Sequence, residues 1–355
     1  MADVMTLLMT ASLRIAGVCG AAWLVALTLR RSSAAARHMA WTWAIPAAVL
    51  TPLLLQLPVR PLVVPAALIG WTSSPPTASG IDPAAPNAPA DRSEPVPASI
   101  ATTPAYAGSA SSVMFASVAV ALWAAGATLS LLWVANGIIA TARLRRRATP
   151  SASAWQEEAG AIAAAMGVGR VTFVESADTP SPFTFGITSP VVVMPNAVAA
   201  WTAERRRAVL LHELAHVKRH DCLAQLLARI ACALYWFHPC IWFAARRLRI
   251  ERERACDDVV LTSGMRGSVY GRHLVDIARS AVSPVSAFAA GGVAMAHRGR
   301  LEERLVSILD PHVVRTSPLS ARLIVTLFGL LALGTASLQV HPQAPPPSPA
   351  IPNVT

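Results

Sequence analysis

Four apolar runs dominate this chain, at residues 4–29, 39–59, 113–141 and 319–339. Each is long enough to cross a hydrocarbon core of about 30 Å, which takes about 20 residues of helix. In lipid the backbone must satisfy its own hydrogen bonds, so each run is restricted to a helix. A mean hydropathy of +0.48, with 54% apolar and 14% charged residues, agrees with an integral membrane protein and excludes the ordinary soluble classes. The first run carries Arg14 near its middle, where a charge either packs against protein or water or marks a functional position. Arginines rather than small residues follow that run, so no cleavable signal is expected.

The net charge of +11 is concentrated beside the apolar runs. Arg30, Arg31 and Arg37 lie between the first two, and Arg143, Arg145, Arg146 and Arg147 follow the third, which predicts that both loops are cytoplasmic. The charge is therefore a topological signal, and with no reader motif present direct nucleic-acid binding is not expected. On this reading the chain starts outside, and residues 1–59 form two transmembrane helices joined by a short cytoplasmic loop. Residues 60–112, rich in Pro, Ala, Ser and Thr, are expected to be an external disordered loop. Residues 113–141 return the chain to the cytoplasm, 319–339 lead out again, and 340–355 form an external Pro-rich tail. That leaves 142–318 as the only large region off the membrane.

Within it, 155–166 reads as a helix of small residues and 171–175 alternates like a strand. The segment SPFTFGITSPVVVMP reads as a β-hairpin ending at Pro195, and Thr202 is placed to cap a following helix. The fold class is thus mainly α, with four membrane helices and a cytoplasmic α+β domain carrying a small sheet. Cys19, Cys222, Cys232, Cys240 and Cys256 show no paired spacing and are expected to be reduced or buried.

The capped helix carries LLHELAHVKRHD. His212 and His216, four residues apart, project from one helical face and can share one ion, with Glu213 beside them. Zinc hydrolysis needs neutral nitrogen ligands, an open coordination position and a carboxylate to take a proton from water. Two histidines and a glutamate also occur on merely solvated helices. Here Leu210, Leu211, Leu214 and Ala215 surround them, which makes three polar groups costly unless they have a task.

A third ligand is expected from RIERERACDDVVL, where Glu253 and Asp257 share a helical face, so that one can bind the metal while the other orients a histidine. Glu251 is the nearest competitor. The intervening 221–248 is apolar with a turn signal at His238 and Pro239, which predicts a helical hairpin rather than a continuous span. Such a hairpin brings Glu253 back toward the histidines and can rest in the membrane interface on Trp236 and Trp242. Tyr235, Tyr270 and His238 are the candidates for stabilising an oxyanion. The β-hairpin before the motif either packs under the helix or offers an edge for an extended peptide.

Taken together, RRSSAAARHMAW, SPFTFGITSPVVVMP, LLHELAHVKRHD, YWFHPCIW, ERERACDDVV, YGRHLVDIA and LEERLVSIL resemble the BlaR/MecR-type integral-membrane zinc metallopeptidases. The resemblance implies a gluzincin-like centre: zinc held by His212, His216 and Glu253, Glu213 as catalytic base, and Asp257 and Asp221 as supporting carboxylates. It also implies a multi-pass protein of the cytoplasmic membrane whose protease domain faces the cytoplasm. In the best-known members the peptidase takes part in signalling that inactivates a cytoplasmic repressor of antibiotic-resistance genes, and a penicillin-binding sensor follows the last span. Only 16 residues follow Gln339 here, so no such sensor is expected and the signal is expected through the 60–112 loop, the bilayer or a partner protein. The resulting expectation is an endopeptidase cutting proteins, such as a repressor, at the cytoplasmic membrane face. The alternatives are a non-catalytic membrane signalling module with a structural zinc and, with less support, a transporter, for which no paired repeat is present.

Overall fold

The computed structural model describes residues 2–54, 62–64, 110–147, 154–177, 179–281, 301–316, 319–337 and 340–342. The helices α1 (Ala2–Thr28), α2 (Ala34–Leu54), α3 (Ala110–Arg147), α4 (Ala154–Ala165), α5 (Ala203–Lys218), α6 (Asp221–Leu234), α7 (Pro239–Thr262), α8 (Gly267–Ala281), α9 (301–309) and α10 (Leu319–Ser337) carry most of the chain. The strands are β1 (Leu62–Val64), β2 (Thr172–Ser176), β3 (Phe183–Phe185), β4 (Val191–Pro195) and β5 (Val340–Pro342).

All four apolar runs are helical where described. Two stretches, Met9–Arg31 and Ser117–Arg146, are long and apolar enough to cross a membrane, while the apolar part of α10, Leu319–Ala332, is shorter. Residues 55–59 of the second run, most of the 60–112 loop and the tail beyond 342 lie outside the described residues. Helix α2 packs against α1, α7 and α10. Helix α3 stands to one side against α6, with only 11% of its apolar window buried. Met114, Phe115, Leu122, Leu129, Leu132 and Trp133 all point outward from it. Arg14 is half-buried in α1.

The chain folds around two principal cores. The first joins α1, α2, α6, α7 and α10 through many alanines, among them Ala22, Ala26, Ala44, Ala48, Ala228 and Ala244, with Ile15, Trp41 and Ile241 between them. Small side chains let helices approach closely, the way helices pack in a membrane, where apolar burial gives little drive. The second core, formed by α4, β4, α5, the end of α7, α8 and α9, is built from Val192, Met194, Leu210, Leu214, Val260 and Ile308. Its aliphatic side chains interlock as in an ordinary close-packed core.

In the second core the sheet runs β2-β4-β3, with β2 parallel and β3 antiparallel to the central strand. Strand β4 is buried throughout, as its unbroken apolar sequence requires of a central strand. The expected β-hairpin is thus present, and its turn needs Gly186, whose φ is +93° and where a Cβ would lie 2.5 Å from the Ser189 carbonyl oxygen. The expected helix before it is α4, and the expected strand is β2, shifted by one residue. A parallel pair, β1 with β5, joins the chain segments that follow α2 and α10.

The segment after the histidine motif folds as the expected helical hairpin, α6 and α7, turning at His238 and Pro239. It does not merely rest on a surface. Both arms pack among α1, α2 and α3. Helix α7 then runs on from the first core, with Ile241 and Leu248, into the second, with Val260.

Candidate metal centre

Thr202 caps α5, its Oγ1 accepting from the Arg205 amide at 3.2 Å, as expected from the sequence. One face of α5 packs Leu210, Leu211 and Leu214 into the second core and so fixes the rotation of the helix. The i,i+4 spacing then sets the His212 and His216 rings 4.9 Å apart and nearly perpendicular. Helix α7 brings Glu253 to them: its Oε2 lies 3.6 Å from His212 Nε2. One ligand atom from each of His212, His216 and Glu253 lies within 4.8 Å of the others, close enough to share one ion.

The opposite ring nitrogens are taken by other groups. His212 Nδ1 faces Asp257 Oδ1 at 3.2 Å, and the Tyr270 hydroxyl donates to that same oxygen at 2.8 Å. His216 Nδ1 faces Asp221 Oδ2 at 2.8 Å. A carboxylate behind each imidazole fixes its orientation and strengthens the other nitrogen as a donor. Two aimed imidazoles and one carboxylate oxygen form a nitrogen and oxygen donor set that suits zinc and leaves a coordination position open.

Charge in this layer is compensated over several contacts. Arg304 grips Asp257 through two bonds, 2.6 and 2.9 Å, and Arg252 donates to Glu253 Oε1 at 2.6 Å. Burial would raise the Glu253 carboxyl, but the bond to His212 and the charges of Arg252 and Arg304 hold it well below the usual carboxylate range. Asp257 is likewise pulled down against its burial, by Arg304 and His212. Burial works against a charged His212, yet Asp257 and Glu253 together push its pKa up to about 9. The Tyr270 hydroxyl, buried beside Asp257, is pushed well above its ordinary value and so stays a proton donor.

Glu213 is buried next to the histidines, its Oε2 accepting a 2.7 Å bond from Thr184 Oγ1 on β3. Glu251 points elsewhere: it is fully buried and paired with Arg37 of α2 at 2.9 Å and with Arg247 at 3.0 Å. Of the proposed oxyanion residues, Tyr270 stands behind His212, while Tyr235 belongs to the first core and His238 Nε2 donates to the Ser12 carbonyl of α1 at 3.1 Å. Neither of the latter two is brought to the metal centre.

Sequence reasoning did not single out Thr184, Arg304, Arg252, Cys256 or His38. Cys256 Sγ sits 3.3 Å from His216 Nδ1, and His38 Nε2 lies 3.6 Å from Asp221 Oδ1. His216, Asp221 and Cys256 form a second close group, in which Asp221 and Cys256 are buried and Asp221 already occupies the shared ring nitrogen. A signal for these residues was present. All lie in the segments that carry the family resemblance, so each of those segments except the YWFHPCIW turn delivers a side chain to this centre.

The family model for BlaR1 peptidase M56 matches residues 6–308, through every element that builds the centre. The chain belongs to that family. M56 relatives include the regulatory protein BlaR1 of Bacillus licheniformis, 28% identical over 166 residues that cover 45% of this chain and 27% of that protein. The methicillin resistance mecR1 proteins of Staphylococcus aureus and Staphylococcus epidermidis are each 28% identical over 92 residues, 26% of this chain and 16% of those proteins. The chain therefore spans little more than a quarter of BlaR1 and about a sixth of mecR1 in these alignments. M56 membership carries metallopeptidase-type chemistry, and the two membrane-competent helices agree with a membrane-associated member.

Proposed function

We propose that this M56 chain is a zinc endopeptidase of the cytoplasmic membrane, with α1, α2, α3 and α10 as four spans and a gluzincin-like domain, residues 142–318, facing the cytoplasm. The observation that carries the reading is the paired arrangement behind the histidines: Asp257 behind His212 and Asp221 behind His216, with Glu253 in front. His212, His216 and Glu253 would hold the ion, and Asp257 and Asp221 would keep both imidazoles in the ligating tautomer. Zinc at such a site supplies Lewis acidity, polarising a carbonyl and making water acidic near neutral pH.

The remaining steps belong to the chain. Glu213 takes the proton of the attacking water and returns it to the leaving amine. Thr184 holds one Glu213 oxygen by its hydroxyl and leaves the other for that transfer. The same residue stands on β3, an edge strand of the sheet, so a substrate peptide pairing with β3 would run past Glu213 in extended form. This supports a protein substrate, and the BlaR1 relationship points to a repressor-like cytoplasmic protein as part of a signalling output, with the input arriving through the 60–112 loop, the bilayer or a partner protein.

Two experiments test the reading. Replacing Glu213 by Gln should leave zinc content and folding unchanged and remove protein fragments found only in cells carrying the intact chain. If the variant binds zinc normally and still transmits its full signal, the site is structural or its cleavage incidental, and the signalling-module reading replaces this one. Outside labelling of residue 160 in intact cells would overturn the orientation taken from the arginine clusters.

A further inference from the structure

We propose that the α6–α7 hairpin is itself inserted in the bilayer, with lipid acyl chains as the partner of its outward face. This inference rests on the membrane reading given above and adds two helices to the four spans. It places the metal centre at the inner membrane surface.

The depth follows from what the tip touches. His238, at the turn, donates to the carbonyl of Ser12, and α1 rises about 24 Å from Thr28 to Ser12 at ~1.5 Å per residue. Trp236 donates its indole N–H to the Trp123 carbonyl of α3 at 3.3 Å, and Trp123 stands about 30 Å along that helix from Arg143. Gly126 faces the Trp236 ring so closely that a Cβ there would lie 2.5 Å from it. The arms fit that reach, since the 14 residues of α6 extend about 21 Å. At the base, Asp221 meets His38 and Glu251 meets Arg37, both at the start of α2 beside the loop arginines. A hairpin whose base lies at that loop and whose tip lies 20 Å or more up two spans crosses most of a hydrocarbon core of about 30 Å.

The turn is also built for a place without water. Carbonyls at a helix end must find donors, and in lipid those donors must be protein. The Trp123 indole donates to the Leu234 carbonyl at 2.9 Å, the Trp242 indole to the Trp236 carbonyl at 2.9 Å, and the His238 amide to the Tyr235 carbonyl at 2.9 Å. Leu223, Phe237, Trp242 and Phe243 meanwhile point outward, each more than 40% exposed. Arg229, partway up α6, lies over the Trp133 ring of α3 at 5.4 Å, a face that offsets the cost of a charge at that depth.

The test uses the full chain in phosphatidylcholine–phosphatidylglycerol vesicles, with a fluorescent non-natural amino acid placed at position 237, at 242, or at 187 in the β3–β4 loop. Lipids brominated on their acyl chains should quench 237 and 242, and aqueous iodide should quench both at least twofold less than 187. Two label sites guard against one substitution failing to fold, which zinc content reports. Iodide quenching of 237 and 242 equal to that of 187, or absence of bromolipid quenching at both, overturns the insertion. Cleavage dependent on Glu213 is measured in the same vesicles. Its loss together with lipid quenching would sink the peptidase and spare the hairpin, and the reverse pattern would do the opposite.

Discussion

The two principal cores of this chain use different residues for the same purpose. Where α1, α2, α6, α7 and α10 meet, alanine after alanine brings backbones together. Where α5 meets β4, α8 and α9, branched and long aliphatic side chains interlock instead. The first pattern gains stability from close approach and works where the surroundings are already apolar, and the second from removing large apolar surface from water. Between them lies a layer of buried charged and polar side chains, with Arg37–Glu251 and His38–Asp221 on one side and His212–Asp257–Arg304 on the other. The candidate metal centre sits at the seam of these two cores, and helix α7 is the element they share.

The seam is broken most severely by removing a proposed ligand. Glu253→Gln should abolish zinc retention on gel filtration, while Glu251→Gln should keep zinc but lower stability by about 1–3 kcal/mol, because Arg37 then loses its buried charged partner. If Glu251→Gln also released zinc, the two faces of α7 would not be separate. The cores should answer to opposite substitutions. Leu214→Ala should cost about 2–5 kcal/mol by opening a cavity, whereas Ala44→Leu should cost about 1–3 kcal/mol by overpacking, both read from denaturant or thermal unfolding in detergent. Next in size, Asp257→Asn should weaken zinc affinity by about 10–100-fold, as measured by competition with a chelator, without removing a ligand. The smallest effect belongs to Thr184→Val, which should lower kcat by up to about tenfold and leave zinc affinity unchanged, since one hydrogen bond to Glu213 is worth about 1 kcal/mol.

Much of this was legible in the sequence, and the reasons for success and failure are geometric. His212, Glu213 and His216 share one turn of one helix, so spacing alone relates them. Glu253 and Asp257 are also four apart, which put both on the face that meets the histidines. Glu251 looked like a rival because it is near in sequence, yet two residues turn about 200° around a helix, and that rotation sends it to Arg37 instead. Thr184 and Arg304 stand in segments that carry the family resemblance, yet spacing could not relate them to the histidines, because a strand and a distant helix deliver them and no periodicity links those elements to α5. The hairpin turn at Pro239 was readable from its breaker residues. Its depth was not, since that depends on which carbonyls of α1 and α3 the tip meets.

Arg37 and His38 are neighbours on α2, yet they hold different arms of the hairpin: one reaches Glu251 on α7, the other Asp221 at the start of α6. Successive residues of a helix diverge by about 100°, so α2 stands between the two arms like a spindle with a contact on each flank. Turning it about its long axis would draw one contact inward and push the other away. Sliding it along that axis would carry both together. Rotation and translation of this one helix are therefore not equivalent: the first alters the spacing between Glu251 and Asp221, of which only Asp221 stands beside a histidine, and the second displaces them as a unit.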